Sequence, residues 1–301
     1  MKTAVAIGFL MLGAVATLAD APDEEKRLAK EPGYLSDVCE VGPLVCNRRL
    51  LLMECMRPAS GGTPQDYYII IRDVERGQIV ARFGEGHSLA SAIVHNGEVY
   101  VFASRWADNT WNDVTLFRSR DLQHWEQQVV LTQEPTEHLF NTSVCATDDG
   151  FVMAYESDDP QYVPFTIKFA RSPDLINWTK IPGAILGPDR YAACPCLRYL
   201  EGAYYVLYLE HRTPAWWFET FMTRSTDLRN WEPSPRNPIL APEEGEDINT
   251  SDPDLAEFQG KVYLYYCIGD QRTYAKIKRA VFPGTLKEFF EWCYRAPPSG
   301  R

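Results

Sequence analysis

The stretch "RSRDLQHW" (Arg118–Trp125) returns as "RSPDLINW" (Arg171–Trp178) and again as "RSTDLRNW" (Arg224–Trp231). Its serines, Ser119, Ser172 and Ser225, are separated by 53 residues both times. A fixed period of that size marks a repeated supersecondary unit stacked against copies of itself. Within the motif the serine closes a strand and the aspartate offers acceptors to the amides of a tight turn. The leucine and tryptophan then fold back onto the apolar face of the unit. Asp121, Asp174 and Asp227 therefore read as turn-capping residues with no chemistry of their own.

A second unit recurs upstream of each motif, a polar residue and a glycine followed by alternating apolar and aromatic residues. It stands at Gly97 in "HNGEVYVFASR", Gly150 in "DDGFVMAYES", Gly202 in "LEGAYYVLYLEHR" and Gly260 in "FQGKVYLYYCIGD". Asn-Gly and Asp-Gly supply the positive φ that a tight hairpin needs, and the flanking runs are strands. "CNRRLLLMECMR" (Cys46–Arg57) is a degenerate earlier copy, bringing the number of units to five. Four short antiparallel strands every fifty-odd residues, without helical periodicity between them, predict an all-β chain folded as a five-bladed β-propeller. "DYYIIIRDVERGQIVARF" (Asp66–Phe83) supplies the outer strands of the first blade. "TYAKIKRAVF" (Thr273–Phe282) and the aromatic tail through Trp292 are expected to finish the last blade or close the ring.

The bulk properties agree with this reading. The 301 residues are 45% hydrophobic, enough for a sizeable core. A net charge of −11 removes the electrostatic case for a nucleic-acid partner. The 13% aromatic content suits a β-rich core and also surfaces that stack on sugar rings. Lys2, the apolar run Ala4–Ala16 and the small residues to Ala19 predict a secretory signal over 1–19. An N-terminal extension over 20–34 and a single propeller domain over 35–301 follow. No other segment approaches 18 unbroken apolar residues, so a soluble, secreted or periplasmic protein with no membrane partner is expected. Seven of the eight cysteines fall in strand-like runs, where buried thiols are as good a reading as bridges. Cys194-Pro195-Cys196 lacks the spacing of a zinc or redox motif.

In a propeller the first residues of the inner strands meet the ends of the second strands at one mouth of the central funnel. That filter selects Asp37 and Glu40, His87, Asn141 and Ser143, Tyr191 and Cys194, and Asn249, Asp252 and Asp254 from the inner strands. From the second strands it selects Glu54 and Arg57, Arg105 and Trp106, Glu156, Glu210 with His211 and Arg212, and Asp270. Trp216, in the loop "RTPAWWFET", reads as a substrate-facing aromatic. Carboxylates, arginines and aromatics around one funnel suit the binding or hydrolysis of carbohydrate, which needs two carboxyl groups with pKa values pushed apart.

"NTSDPDLAEFQGKVYLYY" (Asn249–Tyr266) and the repeated "SxDLxxW" resemble the five-bladed propeller glycoside hydrolases, the broad group that includes families 43, 32 and 117. The resemblance implies an exo-acting hydrolase that removes a terminal sugar from a plant or algal oligosaccharide. An Asp-Pro near the start of an inner strand often carries a catalytic carboxylate in that group, which implies Asp252 as one partner, with Glu210 or Glu156 as the other. The substrate contacts expected are Asp37, Glu40, His87, Arg105, Trp106, Asn141, Tyr191, His211, Arg212, Trp216 and Asp254. A later inner strand of the group often has a glutamate two residues before a proline as general acid, and Ala193 stands there in this chain. A non-catalytic sugar-binding propeller, or a phosphorylase or lyase acting on an anionic sugar, are the alternatives. No cofactor is expected beyond a structural Ca²⁺ on the axis, which a funnel of hard oxygen donors could hold.

Overall fold

Four of the five hairpins that pace the chain are built as their residues require, whereas the third turns at Asp148-Asp149 and leaves Gly150 at the start of the strand with φ of +125°. Asn47-Arg48, Asn96-Gly97, Glu201-Gly202 and Gln259-Gly260 all take left-handed φ at both positions. This is the turn whose twist matches the antiparallel strands it joins. The computed structural model describes residues 26–58, 61–212 and 214–297, so the expected signal over 1–19 lies outside the described residues.

In chain order, β1 (Ala29–Lys30) precedes the first blade, which is β2 (Val41–Cys46), β3 (Arg49–Met56), β4 (Tyr68–Asp73) and β5 (Ile79–Phe83). The second blade is β6 (His87–His95), β7 (Glu98–Ala107), β8 (Thr110–Ser119) and β9 (Glu126–Leu131). The third is β10 (Leu139–Thr147), β11 (Gly150–Ser157), β12 (Thr166–Ser172) and β13 (Thr179–Leu186). The fourth is β14 (Ala192–Leu200), β15 (Ala203–His211), β16 (Phe218–Ser225) and β17 (Glu232–Pro233). The fifth takes β18 (Ser251–Phe258), β19 (Lys261–Gly269) and β20 (Ala275–Phe282), and its outer strand is β1. All five sheets are four-stranded, and the inner strands β2, β6, β10, β14 and β18 pack side by side around the axis.

The ring therefore closes through the N-terminal segment, where Ala29 and Lys30 pair with Val281 and Ala280. The aromatic tail does not finish the blade, because it is helical. Thr285 accepts the Glu288 amide and the Glu288 carboxylate reaches back, a capping box that starts helix α1 (Leu286–Tyr294). Phe289, Phe290 and Cys293 form the buried face of α1 and pack against Val262, Leu264 and Phe282 of the fifth blade.

The repeated motif is a blade corner with an additional role. Asp121 accepts the amides of Gln123 and His124 at 2.8 and 2.9 Å, and Asp174 and Asp227 do the same in their blades. The leucines Leu122, Leu175 and Leu228 take left-handed φ and are buried. The tryptophans were expected to lie on their own blade, yet each reaches the preceding one. Trp125 stacks on Phe83 at 3.7 Å, Trp178 meets Phe102 edge-on at 5.5 Å, and Trp231 stacks on Phe169 at 5.5 Å. The motif recurs because the second, third and fourth blades each use the same latch to the preceding blade, where the indole buries a large apolar face.

Candidate active site

Four of the five inner strands carry one extra residue near their start. The irregularity falls between Ser88 and Ser91, Leu139 and Thr142, Ala193 and Cys196, and Ser251 and Asp254. A bulge kinks a strand and re-aims the side chains beside it. At three of these bulges the first residue, Leu89, Cys194 or Asp252, takes φ of +53°, +51° or +51°. This register makes Cys194-Pro195 the counterpart of Asp252-Pro253. Cys194 therefore corresponds to Asp252, and Ala193 is buried with Leu209 and Phe218.

Below the bulges the axial pocket is lined by Glu40, Ala90, Asn141, Cys194, Asp252 and Asp254, among others. Asp252 accepts from the Ser251 hydroxyl and from the Cys39 thiol, whose Sγ lies 3.6 Å from Oδ2. Glu40 is buried and receives Arg57 Nη2 at 3.0 Å and Nε at 3.4 Å. Burial pushes the Glu40 carboxyl up, and the guanidinium only partly pulls it back. Glu156, at the end of β11, lies behind Asn141 and Cys194 and is almost wholly buried. Its Oε2 accepts the Cys194 amide at 2.9 Å and the Asn141 side-chain amide at 3.1 Å. Burial raises its pKa from 4.5 to about 7 against those two hydrogen bonds, with the charges of Asp252 and Glu40 adding to the rise. Both donors are on Oε2, which leaves Oε1 to carry the proton.

Glu40 and Asp252 thus line one axial pocket, and Glu156 stands behind its Asn141 and Cys194 wall, close enough for both charges to act on it. Glu210, expected beside them, lies apart: Arg190 Nε at 3.2 Å and the Tyr208 hydroxyl at 3.1 Å both donate to its Oε2. Asp254 faces the axis but is held by Arg198 at 2.6 Å, by the Cys196 thiol and by the Leu255 amide. That arrangement does not fit an axial Ca²⁺. Guanidinium groups already neutralise Glu40 and Asp254, and Asp252 has sulfur beside it where a hard cation would need oxygen.

The remaining candidates divide between the mouth and the framework. Tyr191, His211 and Trp216 form one aromatic wall with Phe218. Tyr191 is 6.0 Å from His211, which is 4.7 Å from the exposed Trp216. Arg212 sits over Phe221 with Glu219 at 3.7 Å. Trp106 stacks on Tyr67 at 4.9 Å and Arg105 donates to Asp113 at 3.1 Å, so this pair belongs to the second blade's edge. His87 is buried between the Glu85 carbonyl and Thr115, and burial lowers its pKa. Asp37 is exposed, 3.7 Å from Lys276, on a groove between the first and fifth blades. That groove, about 410 Å³, is also lined by Cys39, Arg57, Arg272, Thr273 and Tyr274. Asp270 caps the loop forming its far wall, accepting the amides of Arg272 and Thr273 at 2.9 and 2.7 Å.

Cys39 and Cys267 were not expected in the site. No spacing rule links Cys39 to Cys267, 228 residues apart. The Cys194-Pro195 and Asp252-Pro253 pairs did carry a signal, since both place proline after the bulge residue.

No family model matches the chain, and no curated protein matches it. Solved structures share its fold. A complex of BT0996 with RGII superposes with a TM-score of 0.65 at 15% identity, over 84% of this chain and 92% of its own. A glycoside hydrolase superposes at 0.61 and 14% identity, over 92% and 93%. The GH43 protein BlXynB of Bacillus licheniformis gives 0.59 at 16% identity, over 84% of this chain and 54% of its own. The five-bladed propeller of these proteins is the fold of this chain.

Proposed function

We propose that the chain is a glycoside hydrolase in which Glu156 is the general acid and Asp252 the second carboxylate. The observation that carries this reading is the divergence of carboxyl environments around one axis. Glycoside hydrolysis needs one carboxyl that holds a proton at neutral pH and one that stays ionised. The buried Glu156, raised to about 7, answers the first requirement. Its Oε1 would give the proton to the departing glycosidic oxygen, while Asp252 attacks the anomeric carbon or takes a proton from water. Arg57 holds Glu40 in place and balances part of the acidic charge. The groove reaching Cys39, beside Asp252, has the size of a small-ligand site. The Asp254–Arg198 pair fills the axis below, which favours a chain end over a threaded chain and hence exo action. Tyr191, His211 and Trp216 would stack on the departing sugars.

The test is turnover of aryl glycosides and of plant and algal oligosaccharides, with the RGII named in the structurally similar complex among them. Asp252→Asn and Glu156→Gln should each lower kcat by about 100-fold or more, as loss of a general acid or base does. Glu210→Gln should stay within about tenfold of the parent, since Glu210 is occupied by Arg190. Full activity in either of the first two variants would overturn the assignment.

A further inference from the structure

We infer that Cys39 and Cys267 form a disulfide that closes the propeller ring at the seam between its first and fifth blades. Cys39 immediately precedes Glu40 and β2, and Cys267 lies in β19, so the pair spans the joint where the chain's two ends meet. Their Sγ atoms are 3.0 Å apart, closer than the roughly 3.5 Å at which even two smaller carbon atoms rest. A disulfide of about 2.05 Å needs an approach of only about 1 Å more.

The same seam is the least secured of the five. Its buried apolar cluster has five residues, Val41, Leu52, Tyr265, Cys267 and Ile277, whereas each of the other four seams has eleven or more. Its backbone closure is the two-residue strand β1 with an isolated bridge from Ser36 to Ile277. The Trp latch to a preceding blade is missing there, as it is between the fourth and fifth blades, because the first blade lacks the motif. A covalent tie between residues 228 apart in sequence constrains the unfolded chain strongly and needs no further apolar surface.

Asp252 completes a group of three donor atoms within 4.8 Å of one another, which raises a bound metal ion as the competing explanation. A tetrahedral cation with bonds of about 2.3 Å would hold its two sulfurs about 3.8 Å apart. The observed spacing falls short of that, on the disulfide side.

Access sets the order of attack. Cys39 lines the groove and is partly exposed, whereas Cys267 is fully buried. A small-molecule disulfide would be attacked by the Cys39 sulfur, releasing one thiol and leaving a mixed disulfide. The Cys267 sulfur then displaces the second thiol. One S–S bond of the reagent and two protein S–H bonds break, one protein S–S bond and two reagent S–H bonds form, and the protein loses two electrons to the reagent.

The full chain, equilibrated with reduced and oxidised glutathione at pH 8, is quenched, unfolded and alkylated. Of its eight cysteines, six should take the label, and peptide mapping should return Cys39 joined to Cys267. A reductant should lower the unfolding midpoint by about 5 °C or more. In Cys39→Ser/Cys267→Ser, and in Cys39→Ser alone should the double variant not fold, reductant should leave the midpoint unchanged. Eight labelled cysteines, a bridge to another cysteine, or a reductant effect surviving in the variant would each overturn the inference. So would protection of the two thiols that a chelator abolishes, which would assign them to a metal. None of these readouts uses turnover, so the result stands apart from that of the hydrolase tests.

Discussion

Glu156→Gln offers a measurement of buried charge that needs no substrate. The glutamine matches the glutamate in shape, and its amide oxygen can accept the Cys194 and Asn141 donors now on Oε2. In the unfolded chain Glu156 titrates near 4.5, and in the fold near 7. A folded-state value above the unfolded one means that the protonated form is the one the fold favours. The associated stability is fully present below about pH 4.5 and is lost as pH rises through about 7. At about 1.4 kcal/mol per pH unit, the gap amounts to about 3 kcal/mol. The variant, which has no charge to bury, should match the parent at pH 4 and exceed it by about 3 kcal/mol at pH 8. For a chain of this size that is about 6 °C in melting temperature. Scanning fluorimetry of both proteins from pH 4 to 8 reads the difference directly, and carboxylates common to both cancel. Parallel melting curves across that range would refute the argument, because they would mean Glu156 ionises in the fold as easily as outside it.

Two further outcomes follow from the site. Trp216→Ala should raise KM by roughly tenfold with kcat retained, since the exposed indole can stack on sugar and packs edge-on against His211 and Phe218. Its melting temperature should be nearly that of the parent, as for other exposed positions. Arg57→Met removes the partner of buried Glu40 and should cost about 3 kcal/mol in urea unfolding. The loss should be greater at pH 8 than at pH 5, because Glu40 then has to be buried as an unpaired anion; equal losses at both pH values would contradict this account.

The blade rhythm was legible because each element of it is local. Asn-Gly and Glu-Gly at the hairpins, alternating aromatics in the second strands and Asp at the corners act within a few residues of themselves. The latch role of Trp125, Trp178 and Trp231 was not, since their partners lie in the preceding blade. The helical tail was missed because its aromatic residues suit a strand, although Thr285 and Glu288 spell a capping box. At the site, position at the end of a second strand could not separate Glu156 from Glu210. Their difference comes from Arg190, which reaches Glu210 and not Glu156. Asp252 was found through its proline, whereas Cys39 came to light only when the ring had closed. The bulges left no sequence mark beyond proline in two of the four blades.

The left-handed kink at the start of the inner strands has a consequence for how such a ring can change. The backbone turns the same way at Leu89, Cys194 and Asp252, though one is aliphatic, one a thiol and one an acid. The shape is thus supplied by the chain path, which holds these three unlike side chains in one conformation. What a blade offers the hub is therefore decided by the side chain at the kink, an acid at Asp252 and a thiol at Cys194, while the path that presents it stays the same.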